Sequence, residues 1–268
     1  MTGIHIETHN ATMVVRIDRP EALNALDVDT MKALRDALRE LNTNDNYQVG
    51  VLTGTGTKAF CTGADLKKTF PPQIPFAAAY FADRDASVDL GLYVRAIALD
   101  SLALNKPLIA AVNGHCLAGG MEMALACDLR IGTPTATFGL PEPRVGSVPG
   151  LGGTSLLLRA VPAAIANKML LTGDRIDATE AHRIGLISDL VDHDQLLPTA
   201  LAIADRICAN GPLAVKAVKA IARQSADLPL TQSIRNEELH WGMLRDTADR
   251  IEGRTAFTEK RPPRWVGA

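Results

Sequence analysis

The feature that most constrains the fold is a repeated order of elements: an apolar run, then a glycine-containing turn, then a helical pattern. Residues 49–53 and 107–112 are such apolar runs, and both are predicted to be buried strands followed by a turn and a helix. Residues 128–131 begin a third unit of this kind. Alternating strands and helices are typical of an α/β fold. The spacing between units is irregular, so the pattern predicts an α/β core without specifying its topology.

Different patterns flank this core. Residues 3–9 and 12–18 alternate and predict a hairpin that turns at Asn10-Ala11, and Asp27 is suited to cap a helix over residues 28–42. After about residue 195 the strand patterns stop and three amphipathic helices are predicted, the last over about 230–250. In the second of them the apolar residues Val215, Val218, Ile221 and Ala222 are expected to face inward. The chain is therefore divided into a core of residues 1–195 and a helical region of residues 196–268.

Composition narrows the possible partners. With 268 residues, 47% of them hydrophobic, the chain can bury one substantial core. Its net charge of −2 does not suggest a nucleic-acid partner. The four cysteines lack C-x-x-C spacing, which fits a reducing compartment, and the six histidines show no metal-ligand spacing. No signal peptide is visible and no apolar run reaches the roughly 18 residues of a membrane span. We expect a cytoplasmic protein with no metal and no membrane partner.

Two glutamates in apolar surroundings are the main candidates for chemistry. Glu122 follows Gly119-Gly120 at the start of a predicted helix, and Glu142 follows Pro141. A carboxylate removed from water must be paired or protonated, and two carboxyls in one pocket can act as one acid and one base. A structural interpretation is also open. An acidic residue in a first helical turn is favoured by the helix dipole, and Glu142 could lie in a surface turn.

Segments spread along the chain carry a resemblance to a known family. Residues 18–26, 59–67, 113–131, 138–146, 149–154, 171–178 and 256–261 together resemble motifs of the crotonase superfamily, and those of the enoyl-CoA hydratases most closely. The resemblance implies a spiral of repeated ββα units. It also implies a C-terminal helical region that packs between the subunits of a homotrimer or hexamer. A tail that folds back on its own core is the alternative.

The resemblance also implies a mechanism on an acyl-CoA substrate. Glu122 would take a proton from a water that attacks C3, and protonated Glu142 would deliver a proton to C2. The backbone N–H groups of Ala64 and Gly119 would form the oxyanion hole for the thioester oxygen, and that of Gly150 would orient the water. No cofactor is implied, because coenzyme A is the carrier of the substrate.

Coenzyme A itself is expected to meet residues from two parts of the chain. By resemblance Lys67 lies near its phosphates, while Phe257 and Lys260 lie near the adenine, often of a neighbouring subunit. Each could equally be an ordinary solvated or packed side chain. Residues 68–90 correspond to the variable lining of the acyl pocket in the family.

Arg144 departs from the family pattern, which has an apolar residue there. It could recognise a carboxylated acyl group through its planar guanidinium, or it could be a surface residue. A guanidinium close to Glu142 would lower the pKa of that acid, which is the wrong direction for a proton donor. We therefore predict that Arg144 points away from Glu142, towards solvent, an acidic neighbour or a subunit interface.

The function implied is the hydration of a trans-2-enoyl-CoA to a 3-hydroxyacyl-CoA, which is a lyase reaction. Other acyl-CoA reactions on the same scaffold stay open, namely isomerisation, dehydration of a carnitinyl-CoA type, hydrolysis or decarboxylation. A non-catalytic or RNA-binding relative is disfavoured by the presence of both glutamates and by the absence of a basic stripe.

Overall fold

The computed structural model describes residues 3–69, 74–82 and 103–268. The chain opens with the predicted hairpin, in which β1 (Ile4–His9) pairs antiparallel with β2 (Thr12–Ile17). Asn10 turns the chain between them with a positive φ of 51°. The predicted buried strands are β3 (Val49–Gly54) and β5 (Leu108–Val112), and the segment at 128–131 gives β7 (Leu129–Gly132). These predictions are confirmed.

The strands form two sheets. The larger sheet has the order β1, β2, β3, β5, β7, β10, with β10 at Asp189–Leu190, and all of its pairs after the hairpin are parallel. The smaller sheet contains β4 (Ala59–Cys61), β6 (His115–Leu117), β8 (Thr137–Gly139) and β9 (Ile176–Asp177) in that order. Successive strands from β3 to β8 alternate between the two sheets. This is the implied spiral of ββα turns.

The smaller sheet also corrects one prediction. A helix was expected directly after each glycine turn, but β4 and β6 come first and the helices follow them. Each of these strands has three residues, which is too short for a period-two pattern to be recognised.

The helices of the described chain follow the strand pairs and then fill the C-terminal region. Helix α1 begins after Asp27, whose Oδ1 accepts the Thr30 N–H at 3.0 Å, so the predicted cap is confirmed. The helices are α1 (Val28–Thr43), α2 (Leu66–Thr69), α3 (Phe76–Phe81), α4 (Gly119–Ala126), α5 (Gly153–Ala160), α6 (Ala163–Thr172), α7 (Ala178–Arg183), α8 (His193–Cys208), α9 (Pro212–Ser225), α10 (Leu230–Leu244) and α11 (Ala248–Glu259). Within the described residues, short 3₁₀ turns lie at Pro20–Ala22 and Glu142–Val145.

One predicted helix is two helices. The pattern over residues 230–250 breaks between α10 and α11, where the Thr247 side chain accepts the Arg250 N–H at 3.2 Å and caps α11. A threonine that bonds the backbone in this way starts a helix rather than continuing one. Within the ranges given above, no helix has both the length and the apolar content needed to cross a bilayer.

Two apolar clusters hold the core together. The larger one joins the two sheets with α1 and α4 through residues such as Leu38, Phe60 and Phe138, all of them fully buried. The second cluster uses the opposite face of the larger sheet, where Val51 and Ile109 pack against α8. Because side chains alternate along a strand, the larger sheet is covered on both faces.

The apolar residues of α9, in the C-terminal region, are more exposed to solvent than the sequence predicts. On α9, Val218 is 65% exposed and Ala222 is exposed, so the expected inward packing of these residues is wrong within one protomer. The buried residue of this helix is Lys219, whose Nζ donates to the Asp128 carboxylate at 2.8 Å and to the Lys106 carbonyl at 2.6 Å. A cavity of about 1100 Å³ lies between α9 and the core.

The stretch expected to line the acyl pocket is described only in part. Residues 70–73 and 83–90 of this stretch lie outside the described residues. Helix α3 carries Phe76, Tyr80 and Phe81, whose neighbouring rings lie 5.4 and 5.5 Å apart. All three side chains are exposed.

Candidate active site

Glu122 lies in the first turn of α4 and is only 3% exposed. Its Oε1 accepts two backbone hydrogen bonds, from the Leu151 N–H at 2.6 Å and from the Gly153 N–H at 2.9 Å. A Cβ at Gly153 would lie 2.9 Å from Glu122 Cγ. Glycine at 153 therefore lets the backbone approach the carboxylate closely and fix its orientation.

The pKa of Glu122 is the result of two opposing effects. Burial raises it, while hydrogen bonds from the backbones of Gly153, Leu151 and Gly150 lower it. Burial is the larger effect, so the pKa lies above its ordinary value. A carboxylate with a raised pKa is a stronger proton acceptor than a free one, which suits a general base.

Glu142 begins the 3₁₀ turn that follows β8. Its side chain is half-buried, and its Oε2 is buried without a hydrogen-bond partner among the described residues. Burial, together with the nearby negative charge of Glu122, raises its pKa from 4.5 to about 7. The structure thus brings the two carboxyls close enough to influence each other, and it gives Glu142 the protonation expected of an acid near neutral pH. Their catalytic roles stay predictions.

The N–H of Gly119 points out of the start of α4. The preceding residue, Ala118, has an unusual backbone with φ 51° and ψ −130°, and its carbonyl accepts the Glu122 N–H at 3.0 Å. Because C=O and N–H point in opposite directions across a trans peptide, the Gly119 N–H faces away from the helix. A first-turn N–H has no partner within its own helix and is available to an anion or a polarised carbonyl.

The N–H of Ala64 belongs to a segment that lies next to the start of α4. The Leu26 N–H donates to the Gly63 carbonyl at 2.8 Å, so the N–H on the other side of that peptide, Ala64 N–H, faces away from Leu26. A Cβ at Gly63 would lie 3.0 Å from the Gly119 nitrogen, which places the two segments side by side. Among the described residues, neither N–H has a hydrogen-bond acceptor. Two N–H groups on adjacent segments, both without an acceptor, are what a two-donor oxyanion hole requires, and this role of Ala64 and Gly119 stays a prediction.

The predicted coenzyme A contacts lie in two separate places. Lys67 is exposed on α2, two residues after Asp65. Phe257, 86% exposed, lies on α11, and Lys260 ends that helix in a left-handed conformation. In the described part of the chain no hydrogen bond links any of these three residues to the glutamates, and their assignment to coenzyme A stays a prediction.

Arg144 lies where it was expected. Its Nε donates to the Thr172 carbonyl at 3.1 Å, and its Nη2 pairs with the Asp174 carboxylate. The prediction that it points away from Glu142, towards an acidic neighbour, is confirmed. The same contact ties the turn that carries Glu142 to the end of α6.

Two contacts at the site were not foreseen from the sequence. The donors that hold Glu122 belong to Leu151 and Gly153, within the same glycine-rich turn as the predicted Gly150. Arg19 and Asp65 meet close to Ala64, although 46 residues separate them. The motifs at 149–154, 18–26 and 59–67 contain these residues, but a motif does not show which distant segment it contacts.

Comparison with known proteins identifies the family of the chain. The sequence profile of the enoyl-CoA hydratase/isomerase family matches residues 7–268. The (E)-benzylidenesuccinyl-CoA hydratase of Thauera aromatica is 44% identical over 265 residues, covering 99% of both chains. The crotonyl-CoA hydratase of Syntrophomonas wolfei is 37% identical over 98% of both chains. The crystal structure of an enoyl-CoA hydratase from Bacillus anthracis superposes with a TM-score of 0.89 at 32% identity, covering 99% of this chain and 100% of that one. The chain therefore belongs to the enoyl-CoA hydratase/isomerase family and has the crotonase fold.

Proposed function

We propose that this protein hydrates a trans-2-enoyl-CoA to the 3-hydroxyacyl-CoA. The observation that carries the proposal is that the Glu122 carboxyl is buried, that the Glu142 carboxyl is half-buried, and that they are near enough for the charge of Glu122 to raise the pKa of Glu142. Hydration needs a base for the attacking water and an acid for the carbon that becomes protonated. Two carboxyls that hold one proton between them supply both groups.

The proposed reaction starts at the thioester carbonyl. The N–H groups of Ala64 and Gly119 hydrogen-bond its oxygen and stabilise the negative charge that develops there, an effect worth about 3–4 kcal/mol per donor in comparable sites. Glu122 takes a proton from the water while the oxygen of the water bonds to C3 of the substrate. Glu142 gives a proton to C2, and the Gly150 N–H orients the water. Acid, base and electrostatic stabilisation all come from the chain, so the reaction needs no metal or redox cofactor.

The identity of the substrate's acyl group is supported by fewer observations than the type of reaction. Relatives in this family include the (E)-benzylidenesuccinyl-CoA hydratase already described, a 2,3-dehydroadipyl-CoA hydratase of Escherichia coli and carnitinyl-CoA dehydratases. These relatives support a hydration or dehydration at an enoyl-CoA, and they indicate that the acyl group varies among members of the family. Arg144 does not support a carboxylated substrate, because Asp174 already occupies its guanidinium.

We also propose that the active form is a homotrimer or a dimer of trimers. Large apolar side chains are exposed along the C-terminal helices, which is unusual for a surface that stays in water. Examples are Leu239, Trp241 and Phe257, which are 67%, 62% and 86% exposed. In this arrangement Phe257 and Lys260 reach the coenzyme A of a neighbouring subunit. The four unpaired cysteines are compatible with the cytoplasmic location that we propose.

The test is a direct assay of hydration. The purified protein is mixed with crotonyl-CoA, an aromatic enoyl-CoA and a carboxylated enoyl-CoA, and loss of the ultraviolet band of the conjugated thioester is followed. Mass spectrometry then checks that the product has gained one water and kept its coenzyme A. Release of free coenzyme A would identify the reaction as hydrolysis instead of hydration. Movement of the double bond without gain of water would identify it as isomerisation.

A further inference from the structure

The segment that presents the Ala64 N–H is held by hydrogen bonds on both sides. The Gly63 carbonyl accepts the Leu26 N–H at 2.8 Å, and the Asp65 N–H donates to the Leu26 carbonyl at 2.9 Å. Leu26 thus fixes the two peptide planes that flank Ala64. Whatever holds the Leu26 segment against the Ala64 segment therefore sets the direction of the Ala64 N–H.

Arg19 joins these two segments. Its Nη1 donates to the Ala25 carbonyl, one residue before Leu26, and its Nη2 donates to Asp65 Oδ2 at 3.0 Å, one residue after Ala64. The Arg19 side chain is 10% exposed and that of Asp65 is 13% exposed, so the pair is shielded from water and salt. Asp27 lies 3.3 Å from the same Nη2 and completes the arrangement.

Asp65 also orders the chain beyond the oxyanion donor. Its Oδ1 accepts the Lys67 N–H at 3.2 Å, and its carbonyl accepts the N–H groups of Lys68 and Thr69, each at 2.9 Å. Asp65 therefore lies directly before Leu66, the first residue of α2, and its two carboxylate oxygens accept hydrogen bonds from Arg19 on one side and from the Lys67 N–H on the other.

We infer that Arg19 and Asp65 are positioning residues for the oxyanion hole, and that they act by aiming the Ala64 N–H at the substrate carbonyl. The planar guanidinium suits this role because it donates to a carbonyl and a carboxylate at once in a fixed geometry, which a lysine cannot do. The inference rests on the proposed function in that it assumes an acyl-CoA thioester at the site.

Asp65→Asn is the most direct variant, and the chain offers a matched control. Asp128 is also a shielded carboxylate that pairs with a cation, Lys219, at 2.8 Å and accepts a backbone N–H, that of Leu108, at 2.8 Å. Asp128→Asn removes the same kind of charge and similar bonds, but its contacts do not include the Leu26 or Ala64 segments. Loss of stability is expected for both variants, and loss of carbonyl alignment only for Asp65→Asn.

The measurement is the infrared carbonyl band of bound butyryl-CoA with an isotope-labelled thioester carbon. Hydrogen bonds from the oxyanion hole lower the stretching frequency of this carbonyl. We expect Asp65→Asn to move the band back towards that of free butyryl-CoA and to lower kcat roughly tenfold, since removing such a donor entirely costs about 10²–10³. Asp128→Asn should leave both the band and kcat as in the wild type. An unchanged band in Asp65→Asn, or an equal change in the two variants, would overturn the inference.

Arg19→Lys provides a second variant if Asp65→Asn does not fold. Lysine keeps the positive charge next to Asp65 but cannot also hold the Ala25 carbonyl, so an intermediate band position is expected. A wild-type band and wild-type kcat in Arg19→Lys would contradict the inference. Butyryl-CoA has no double bond, so the band tests the hydrogen bonds even if hydration fails. A shifted band in a wild type that hydrates no enoyl-CoA would overturn the proposed function alone.

Discussion

Replacing Glu142 with glutamine should remove activity and, above neutral pH, make the protein more stable. In the folded protein this carboxyl has a pKa of about 7, whereas in the unfolded chain it returns to about 4.5. Between these two values the unfolded state has lost a proton that the folded state still holds. Stability therefore falls as pH rises through this window and is level above it. Glutamine does not titrate, so the variant avoids this loss.

The magnitude follows from the two pKa values. Each pH unit between 4.5 and about 7 corresponds to about 1.4 kcal/mol, which gives an upper bound of about 3 kcal/mol. Glu142 is only half-buried and water offsets part of its desolvation, so we expect about 1–3 kcal/mol at pH 8 and close to zero at pH 4.5. Stability at a functional site is commonly sacrificed in this way.

The assay is urea unfolding followed by circular dichroism between pH 5 and pH 8, at one protein concentration because subunit association contributes to stability. Glu252→Gln is the control, since hydrogen bonds from Arg261 and the Arg264 backbone lower the pKa of Glu252 to about 2. Glu252 is thus ionised in the folded state throughout this range and mostly ionised in the unfolded chain, so the effect of its replacement should change little with pH. An equally flat difference between wild type and Glu142→Gln would refute the reasoning.

Three further predictions concern the backbone and charges around the site. Gly153→Ala places a Cβ 2.9 Å from Glu122 Cγ and from Pro149 Cβ, so kcat for crotonyl-CoA hydration should fall by about 10² and overpacking should lower urea stability by about 1–3 kcal/mol; a wild-type kcat would contradict this. Ala118→Gly should stabilise the fold by about 1 kcal/mol in urea, because φ is 51° at this alanine, and a destabilised variant would show that the strain lies elsewhere. Arg144→Ala should leave the pH–rate profile within about half a unit, because Asp174 already neutralises this guanidinium; a larger displacement of the acid limb would place it at the reacting groups.

Much of the fold could be predicted because long apolar patterns have few interpretations. The hairpin, α1 and the buried strands β3 and β5 all carry such patterns and were located to within a residue or two. The three-residue strands β4 and β6 carry no period and could be expected only from the family resemblance. The predicted inward packing of α9 was wrong because an apolar stripe indicates that a helix face will be buried. It does not indicate whether the same chain or another chain buries that face.

The site was predictable in its chemistry and less so in its geometry. The glutamates could be recognised as candidates because a carboxyl in an apolar segment needs hydrogen bonds, a charged partner or a proton. That support comes from the N–H groups of Leu151 and Gly153, which depend on how α5 packs on α4. The contact between Arg19 and Asp65 joins segments far apart in sequence, and it follows only from the folded chain.

The central claim is that Glu122 and Glu142 act together on one water. The most direct test is kcat for crotonyl-CoA hydration in Glu122→Gln, Glu142→Gln and the double variant, each first shown to be folded by circular dichroism. Each single variant should lose about 10²–10⁴, and the double variant should lose little more than the worse single variant, because groups that act as a unit are not additive. A folded single variant that keeps more than half of the wild-type kcat, or losses that multiply in the double variant, would contradict the account.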